Sequence, residues 1–281
     1  MRILVTGGAG MLGSDLLKRF GRDHEAKGID LMDMDILNEA GTRDIVAGIR
    51  PDWVIHCAAF TNVDGCENEP EKAFRVNSEG ARNVAKACLG AGARMLYVST
   101  DYVYDGSKKE PYVETDPPEP LNIYGESKLK GEQEVLGVAP DALIVRTSWL
   151  FGENGPNFVK AILGQVGKKK ELEVVADQVG NPTYTPDLSE ALARLVESGA
   201  GGIYHVSNSG SCSWFEYAKK ILELAGVDDI NVKPITTSEL GRPALRPAYS
   251  VLSNEKYSAL TGHALRGWDE ALSEYLKEKK A

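Results

Sequence analysis

The first half of the chain alternates short apolar runs with longer segments of helical periodicity. Apolar runs typical of buried strands cover residues 2–6, 26–30, 53–56, 95–99 and 142–147. Between them, residues 70–90 and 123–135 form predicted helices, the first of which starts with proline and ends in glycine. Another amphipathic segment carries Leu12, Leu16 and Phe20 on one side. Strands that alternate with helices predict an α/β fold built on a doubly wound parallel sheet.

The alternation becomes less regular after Thr147. Loops rich in glycine and proline, at residues 152–156, 177–182 and 239–247, separate short helical and extended segments. We therefore predict a sheet domain over residues 1–150, to which later segments return, and a smaller mixed α/β lobe formed mainly by residues 151–281. Lys277 to Lys280 are expected to form a solvated helix end.

A glycine-rich turn joins the first predicted strand to the first predicted helix. Gly7, Gly10 and Gly13 have the spacing Gly-x-x-Gly-x-x-Gly, and Met11 and Leu12 lie within it. Glycines let the backbone approach a pyrophosphate, whose charge is then favoured by the helix N-terminus. Because a strand and a helix flank the turn, we predict a Rossmann-like dinucleotide site in preference to a turn without a ligand.

An acidic residue ends the second predicted strand. Asp30 is placed to accept hydrogen bonds from the adenosine ribose hydroxyls, and no Lys or Arg follows it before Arg43. The missing cation favours NADH, since nothing nearby would neutralise a 2′-phosphate. Asp35 and Ile36 are candidates for the adenine pocket, although a solvated acidic loop explains them nearly as well.

Composition and charge exclude several classes of partner. The 281 residues carry a net charge of −9 without a basic block, which argues against nucleic acid and anionic membranes as main partners. No apolar run reaches the length of a membrane span, so we expect a cytoplasmic protein. Its four cysteines have no metal or disulfide spacing, and no metal ligands are predicted.

Three residues suggest acid catalysis. Tyr124 and Lys128 stand four residues apart, which on a helix places both side chains on one face, where the ammonium favours the phenolate. A surface pair is the simpler explanation of this spacing taken alone. Thr100, however, follows the fourth predicted strand, and ligands of open parallel sheets bind at that edge. The Tyr124/Lys128 spacing and the position of Thr100 at this edge together favour a catalytic site.

With these motifs in place, the chain resembles the dTDP-4-dehydrorhamnose reductase family of the extended short-chain dehydrogenase/reductase superfamily. The resemblance covers nearly the whole length. The matching stretches are residues 7–13, 57–64 (CAAFTNVD), 99–106 (STDYVYDG), 124–128 (YGESK), 146–149 (RTSW), 177–183 (DQVGNPT), 213–214 and 246–252 (RPAYSVL).

The resemblance implies an NAD(P)-binding Rossmann domain over residues 1–150 and a lobe that mainly binds the substrate. The implied reaction reduces the C4 ketone of dTDP-4-dehydro-6-deoxy-L-mannose to dTDP-L-rhamnose with NADPH or NADH. Thr100, Tyr124 and Lys128 would be catalytic, with Lys128 also near the nicotinamide ribose. Further cofactor contacts would come from Ala58, Ala59 and Thr61. Substrate contacts would come from Val63, Asp101, Tyr102, Trp149 and Arg246.

Two other functions stay open. A nucleotide-sugar epimerase or dehydratase shares the glycine motif and the Tyr/Lys pair, but a dehydratase typically has Asp-Glu after the Thr, where this chain has Asp101 and Tyr102. The regulatory subunit of methionine adenosyltransferase also resembles this family and acts by binding a partner. Some family members pair through acidic magnesium ligands, which Asp15 alone does not supply, so a homodimer is left open.

Overall fold

The computed structural model describes residues 1–278, and the predicted helix end at Lys279 and Lys280 lies outside them. The strands are β1 (Arg2–Thr6), β2 (Glu25–Ile29), β3 (Trp53–His56), β4 (Arg94–Thr100), β5 (Leu143–Thr147), β6 (Leu150–Phe151), β7 (Glu171–Val175), β8 (Val179–Gly180), β9 (Thr183–Tyr184), β10 (Gly202–His205), β11 (Cys212–Ser213) and β12 (Asn231–Ile235). The helices are α1 (Met11–Phe20), α2 (Glu39–Ile49), α3 (Val63–Asn68), α4 (Pro70–Phe74), α5 (Ala81–Ala91), α6 (Ile123–Val138), α7 (Phe158–Leu163), α8 (Thr185–Ser198), α9 (Trp214–Ala225), α10 (Thr237–Leu240), α11 (Glu255–Thr261) and α12 (Trp268–Glu278). None of the helices described over residues 1–278 has the length and apolar character needed to span a membrane.

Six parallel strands form the central sheet, in the order β10-β5-β4-β3-β1-β2. The predicted doubly wound parallel sheet is therefore confirmed. In its register Thr100 lies opposite Thr147, so the carboxyl ends of β4 and β5 meet at one edge. β10 comes from the second half of the chain, which shows that later residues do return to the sheet.

The residues after β5 also form three two-stranded sheets. β7 pairs with β12 and β6 with β9, both in parallel, while β8 pairs with β11 in the antiparallel sense. Phe151, Tyr217 and Tyr275 lie in one buried cluster beside them, apart from the clusters on the central sheet. This is the smaller mixed α/β part of the fold. The boundary at residue 150 stays a prediction.

Apolar side chains cover the two faces of the central sheet separately. Leu12, Leu16 and Phe20 of α1 pack with residues of α8 on one face. Val46 of α2 and Val84 of α5 belong to the cluster on the other face. Each fully buried side chain of this size contributes about 1.5–3 kcal/mol, so the two-sided burial stabilises the strand order.

The predicted helix over residues 70–90 differs from the structure in its middle and at its end. α4 and α5 are joined by a π-helix, Arg75–Gly80, and α5 ends at Ala91, where Gly92 has a φ of 68°. Inside the π-helix the Asn77 side chain binds the backbone of Phe60 through both its oxygen and its nitrogen. The Asn77 carbonyl accepts a hydrogen bond from Tyr97 at 3.0 Å. These tertiary contacts explain a local widening that helical periodicity alone does not predict.

Candidate active site

A cavity of about 610 Å³ lies beyond the carboxyl ends of β1, β3, β4 and β5. It is lined by most of the residues predicted for the site: Gly7, Gly10, Met11, Leu12, Gly13, Asp30, Ala58, Ala59, Thr61, Val63, Thr100, Asp101, Tyr102, Tyr124, Lys128 and Trp149. Residues from distant parts of the sequence therefore converge on one space. Asp35, Ile36 and Arg246 are not part of this lining.

The glycine loop brings backbone close to backbone where β1 passes into α1. Gly7 has a φ of 70°, which favours glycine, and a Cβ on Gly13 would lie 2.1 Å from the Gly7 carbonyl oxygen. Gly10 precedes α1 and offers no side-chain cap to its first N–H groups. This end of α1 faces the cavity and suits an anion.

Asp30 lies just after β2 and reaches the same loop. Its Oδ2 accepts a hydrogen bond from the Ala9 amide at 3.0 Å, and Asp33 Oδ2 accepts one from the Asp30 amide at 3.0 Å. The carboxylate thus connects the glycine loop to the end of β2, at the edge of the cavity.

Asp35 and Ile36 make contacts outside the cavity lining. Asp35 Oδ1 accepts a hydrogen bond from the Leu37 amide at 2.9 Å, which stabilises its own loop. Ile36 is buried in the cluster between the sheet and α5, close enough to Gly80 that a Cβ there would lie 2.6 Å from its Cδ1. A packing role for Ile36 explains this contact.

Lys128 is a buried lysine without a carboxylate partner among residues 1–278. Its Nζ donates to the Val98 carbonyl at 2.6 Å and lies 3.9 Å from the centroid of the Tyr97 ring. Burial lowers the pKa of Lys128 to about 7, although the Glu132 carboxylate raises it. The ammonium is therefore close to losing its proton near neutral pH.

Tyr124 lies one helical turn before Lys128 and lines the same cavity. Burial raises the pKa of the Tyr124 phenol, and a hydrogen bond with the Thr100 side chain opposes that shift. The net pKa is therefore raised and not lowered as the Tyr/Lys spacing predicts, because burial removes water from the phenolate. Tyr124 keeps its proton and remains a donor.

Thr100 ends β4 and begins a short 3₁₀ helix, Asp101–Val103. Its Oγ1 accepts from the Tyr102 amide at 3.2 Å and donates to Asp101 Oδ1 at 3.1 Å. Asp101 is 2% exposed, and its Oδ2 accepts from the Ser250 hydroxyl at 2.5 Å. Burial raises the pKa of Asp101 to about 7.

Aromatic rings form one side of the cavity. Tyr102 meets the Tyr124 ring edge-on, with centroids 5.8 Å apart. Trp149 has a φ of 47°, which is uncommon for a bulky residue, and stacks on Trp214 with centroids 3.5 Å apart. A Cβ on Gly180 would lie 2.6 Å from the Trp149 ring, so this glycine makes room for the stack.

Arg246 lies next to Tyr102. Its Nη2 pairs with Asp64 Oδ1 at 3.0 Å, its Nη1 donates to the Ala244 carbonyl at 2.8 Å, and it also interacts with the Tyr102 hydroxyl. Asp64 pairs with Arg242 as well, at 3.1 Å. These contacts hold the pKa of Asp64 below its ordinary value against the effect of burial.

Several lining residues were absent from the prediction: Cys57, Val98, Ser99, Thr147, Ser148, Leu150, Gly155, Pro156 and Trp214. Most of them belong to or directly follow β3, β4 and β5, so the rule that ligands bind at carboxyl ends of parallel strands was sufficient to find them. Trp214 had no such signal, because it starts a helix of the smaller lobe. Among residues 1–278 no group of three or more His, Cys, Asp or Glu side chains is arranged to hold a metal ion.

Comparison with known proteins covers the whole chain. A family model described as the RmlD substrate binding domain matches residues 1–281. The crystal structure of a dTDP-4-dehydrorhamnose reductase from Clostridium acetobutylicum is 41% identical, with a TM-score of 0.96 and 100% of both chains covered. One from Bacillus anthracis in complex with NADP is 43% identical, with a TM-score of 0.95 and 99% of each chain covered. A spore coat polysaccharide biosynthesis protein of Bacillus subtilis is 43% identical over 100% of this chain and 98% of its own length.

Proposed function

Because this chain belongs to the family of the RmlD substrate binding domain, we propose that it reduces the C4 ketone of dTDP-4-dehydro-6-deoxy-L-mannose to dTDP-L-rhamnose with NADPH or NADH. One observation carries the proposal: Thr100, Tyr124 and Lys128 line the same cavity as the glycine loop. An acid catalyst thus adjoins a site for a dinucleotide. The relatives from Clostridium acetobutylicum and Bacillus anthracis, both named dTDP-4-dehydrorhamnose reductase, support the choice of substrate.

The described residues fit a nicotinamide dinucleotide. The uncapped start of α1 and the close backbone approach of Gly7 and Gly13 suit a pyrophosphate. The residues that would hold the cofactor are Gly7, Gly10, Met11, Leu12, Gly13, Asp30, Ala58, Ala59, Thr61, Tyr124 and Lys128. When bound, the cofactor supplies a hydride to the carbonyl carbon.

The choice between NADH and NADPH rests on Asp30. Its carboxylate suits ribose hydroxyls and repels a 2′-phosphate, which favours NADH. The Bacillus anthracis relative was crystallised with NADP, which favours NADPH. We propose that the protein uses both cofactors. One Asp30 oxygen already accepts a hydrogen bond from the Ala9 amide in the glycine loop, which leaves the carboxylate less able to select between NADH and NADPH.

The side chains of the site supply the proton and stabilise charge on oxygen. Tyr124 donates its proton to the carbonyl oxygen, Thr100 holds that oxygen by a hydrogen bond, and Lys128 stabilises the phenolate that remains. The raised pKa of Tyr124 keeps the phenol protonated before the reaction. The lowered pKa of Lys128 means that its ammonium is lost as pH rises through about 7.

We assign the sugar to the aromatic side of the cavity, next to Val63, Asp101, Tyr102 and Trp149. Arg246 is the candidate for the diphosphate, since its planar guanidinium binds paired oxygens and a chain of net charge −9 must supply cations locally. Arg246 is not part of the cavity lining but binds Tyr102, so we assign its action to a position beside that side chain.

The alternatives make different demands on the same residues. A dehydratase would use a carboxylate at position 102, where this chain has a tyrosine. A purely regulatory subunit has no need of Tyr124, Lys128 and Thr100 in one cavity. Cytoplasmic location and a homodimer stay predictions, and light scattering would test the second.

One assay separates these functions. The protein is mixed with the 4-keto sugar, made from dTDP-glucose by a 4,6-dehydratase and a 3,5-epimerase, and NAD(P)H absorbance is followed. A reductase consumes one NAD(P)H for each sugar reduced, whereas an epimerase or dehydratase leaves the NAD(P)H pool unchanged. No consumption of either cofactor would contradict the proposed function.

A further inference from the structure

Thr100 has one hydroxyl proton, and in this structure that proton is already used. Oγ1 donates to Asp101 Oδ1 at 3.1 Å, and one of its lone pairs accepts from the Tyr102 amide at 3.2 Å. A hydroxyl has a single O–H donor and two acceptor sites. Thr100 therefore cannot also donate to a substrate carbonyl oxygen while Asp101 is an acceptor.

Asp101 is an unusual carboxylate. It is 2% exposed, lines the cavity, and has no Lys, Arg or His in salt-bridge contact within residues 1–278. Its side-chain partners are two hydroxyls, those of Thr100 and Ser250. Ser250 is itself 2% exposed and lies far away in sequence, so the tertiary fold brings it to this carboxylate. A buried carboxylate without a cation is costly as an ion and is easily protonated.

We propose that Asp101 is a positioning residue that works in its protonated form: its carboxyl donates to Thr100, which frees the Thr100 hydroxyl to donate to the substrate carbonyl oxygen. This inference rests on the proposed function, because it explains how Thr100 serves the reduction. Ser250 holds the second oxygen of the carboxyl and so fixes which oxygen faces Thr100.

The hydrogen bonds of Asp101 and Thr100 in this arrangement need no further protein group. Before the reaction, Asp101 takes up one hydronium proton from the bulk solvent, which forms an O–H bond at Oδ1 and leaves neutral water. That O–H donates to one lone pair of Thr100 Oγ1, the other lone pair keeps the Tyr102 amide, and the Tyr124 hydroxyl turns from Thr100 to the carbonyl oxygen. The Thr100 proton then points at the carbonyl oxygen beside the Tyr124 proton. The Asp101 proton is retained through the reaction, and the proton consumed comes from Tyr124.

The surroundings decide the pH at which this arrangement exists. Burial raises the pKa of Asp101 to about 7, while the bonds from Ser250 and Thr100 lower it. The titratable groups facing Asp101 are Tyr102 on its own turn and Tyr124 on α6, both with raised pKa values. Arg246 and Asp64 act on Tyr102 from behind, and Lys128 lines the same cavity from α6. The Thr100 hydroxyl can therefore donate a hydrogen bond to the substrate carbonyl oxygen below about pH 7 but not above it.

Asn is the matched test, because an amide nitrogen donates to Thr100 at every pH while its oxygen accepts from Ser250. Below pH 7, Asp101→Asn should retain a clearly higher kcat than Asp101→Ala. Asp101→Ala should lose roughly tenfold or more, since a hydrogen-bond donor to a developing oxyanion is worth at least that much. An Asn variant as impaired as the Ala variant would overturn the proposal.

The pH profile distinguishes this role from a structural one. Two groups of the wild type, Asp101 and Lys128, lower kcat when they lose their protons near pH 7, so around neutrality log kcat should fall with a slope steeper than one. Asp101→Asn should reduce that slope to at most one, because Lys128 alone remains. Ser250→Ala removes a bond that lowers the Asp101 pKa, so the alkaline fall should move to higher pH. An unchanged slope in Asp101→Asn would contradict the proposal.

Ser189→Ala is the control for Ser250→Ala, since Ser189 is a buried hydroxyl on α8 without a hydrogen-bond partner among residues 1–278. It should leave the pH profile unchanged. Infrared difference spectra of the free protein supply a readout independent of turnover: a protonated carboxyl band should titrate near pH 7 and vanish in Asp101→Asn. A wild type without reductase activity would refute the proposed function, whereas a missing infrared band would refute only the Asp101 assignment.

Discussion

Two consecutive turns of α6 bury charge in different ways. In the Lys128 turn, the ammonium has a carbonyl oxygen and an aromatic ring as partners. In the Glu132 turn, the carboxylate binds Arg146 through both oxygens, at 2.9 and 2.6 Å, and also accepts from Ser99. Arg146 continues to the Tyr104 hydroxyl at 2.7 Å. Both turns are equally hidden from water, yet only the first leaves a charge unpaired.

The difference shows that burial alone does not mark a functional charge. A satisfied ion pair such as Glu132 with Arg146 is costly to break, which suits a fixed scaffold. An unpaired Lys128 titrates near pH 7 and is stabilised by a charge that forms during the reaction, which suits catalysis. Three substitutions on α6 test this difference, and a fourth probes a paired cation elsewhere.

Tyr124→Phe has the largest expected effect. It removes the proton donor next to the Lys128 turn and keeps the ring, so kcat should fall by about 10² to 10⁴. The free energy of unfolding should change little, because no part of the Glu132 network is touched. Steady-state kinetics and urea denaturation of one preparation measure both. A near-wild-type kcat would remove Tyr124 from the mechanism.

Glu132→Gln should act mainly on stability. It leaves the buried Arg146 without a counter-charge, and breaking a buried pair in this way costs about 3–5 kcal/mol. Urea denaturation at pH 7 measures the loss. Glu134→Gln is the control on the same helix, since Glu134 pairs at the surface with Lys130, and its loss should be much smaller. Equal losses would erase the distinction between the two turns.

Lys128→Met should separate activity from stability. Activity should be lost with the ammonium, while the free energy of unfolding at pH 6 should rise by roughly 1–3 kcal/mol, the cost of an incompletely compensated buried polar group. The folded pKa lies below the unfolded one, so the cost is present below about pH 7 and disappears as pH rises toward the ordinary lysine value. The gain in the free energy of unfolding should therefore shrink as the pH rises from about 7 toward the ordinary lysine pKa. A Met variant that is less stable at pH 6 would show that Lys128 belongs to the scaffold.

Arg246→Ala has the smallest expected effect and probes a paired cation outside α6. If Arg246 contacts the diphosphate, KM for the sugar should rise by about tenfold with little change in kcat, as expected when uniform binding by a charged hydrogen bond is lost. Arg246→Lys should recover only part, because it lacks the planar fork. Arg242→Ala is the control, since it removes the other guanidinium on Asp64. An unchanged sugar KM in Arg246→Ala would return the residue to a purely structural role.

Local motifs could be predicted from the sequence because their geometry depends on neighbours in the chain. The strand, glycine turn and helix from β1 to α1 follow from backbone sterics, and the structure reproduces the bounds of β1 and β3 as predicted. The four-residue spacing of Tyr124 and Lys128 is likewise a property of any helix. The doubly wound sheet follows from the alternation itself.

Other features depend on contacts between distant segments. The π-helix arises where Asn77 binds the loop after β3, and Ile36 is drawn into the core beside Gly80. Trp214 lines the cavity, where Trp149 from another element stacks on it. Nothing in the local sequence specifies these pairings.

The sequence by itself determined the alternation of strands and helices along the first half of the chain, the glycine loop and the alignment of Tyr124 with Lys128. Each of these is set within a few residues. Only the tertiary structure decided the electrostatics of the site. Burial raised the pKa of Tyr124 against the sequence expectation, lowered that of Lys128, and placed Ser250 on Asp101. The physical reason is that desolvation and long-range hydrogen bonds depend on what surrounds a group in space, which spacing along the chain does not specify.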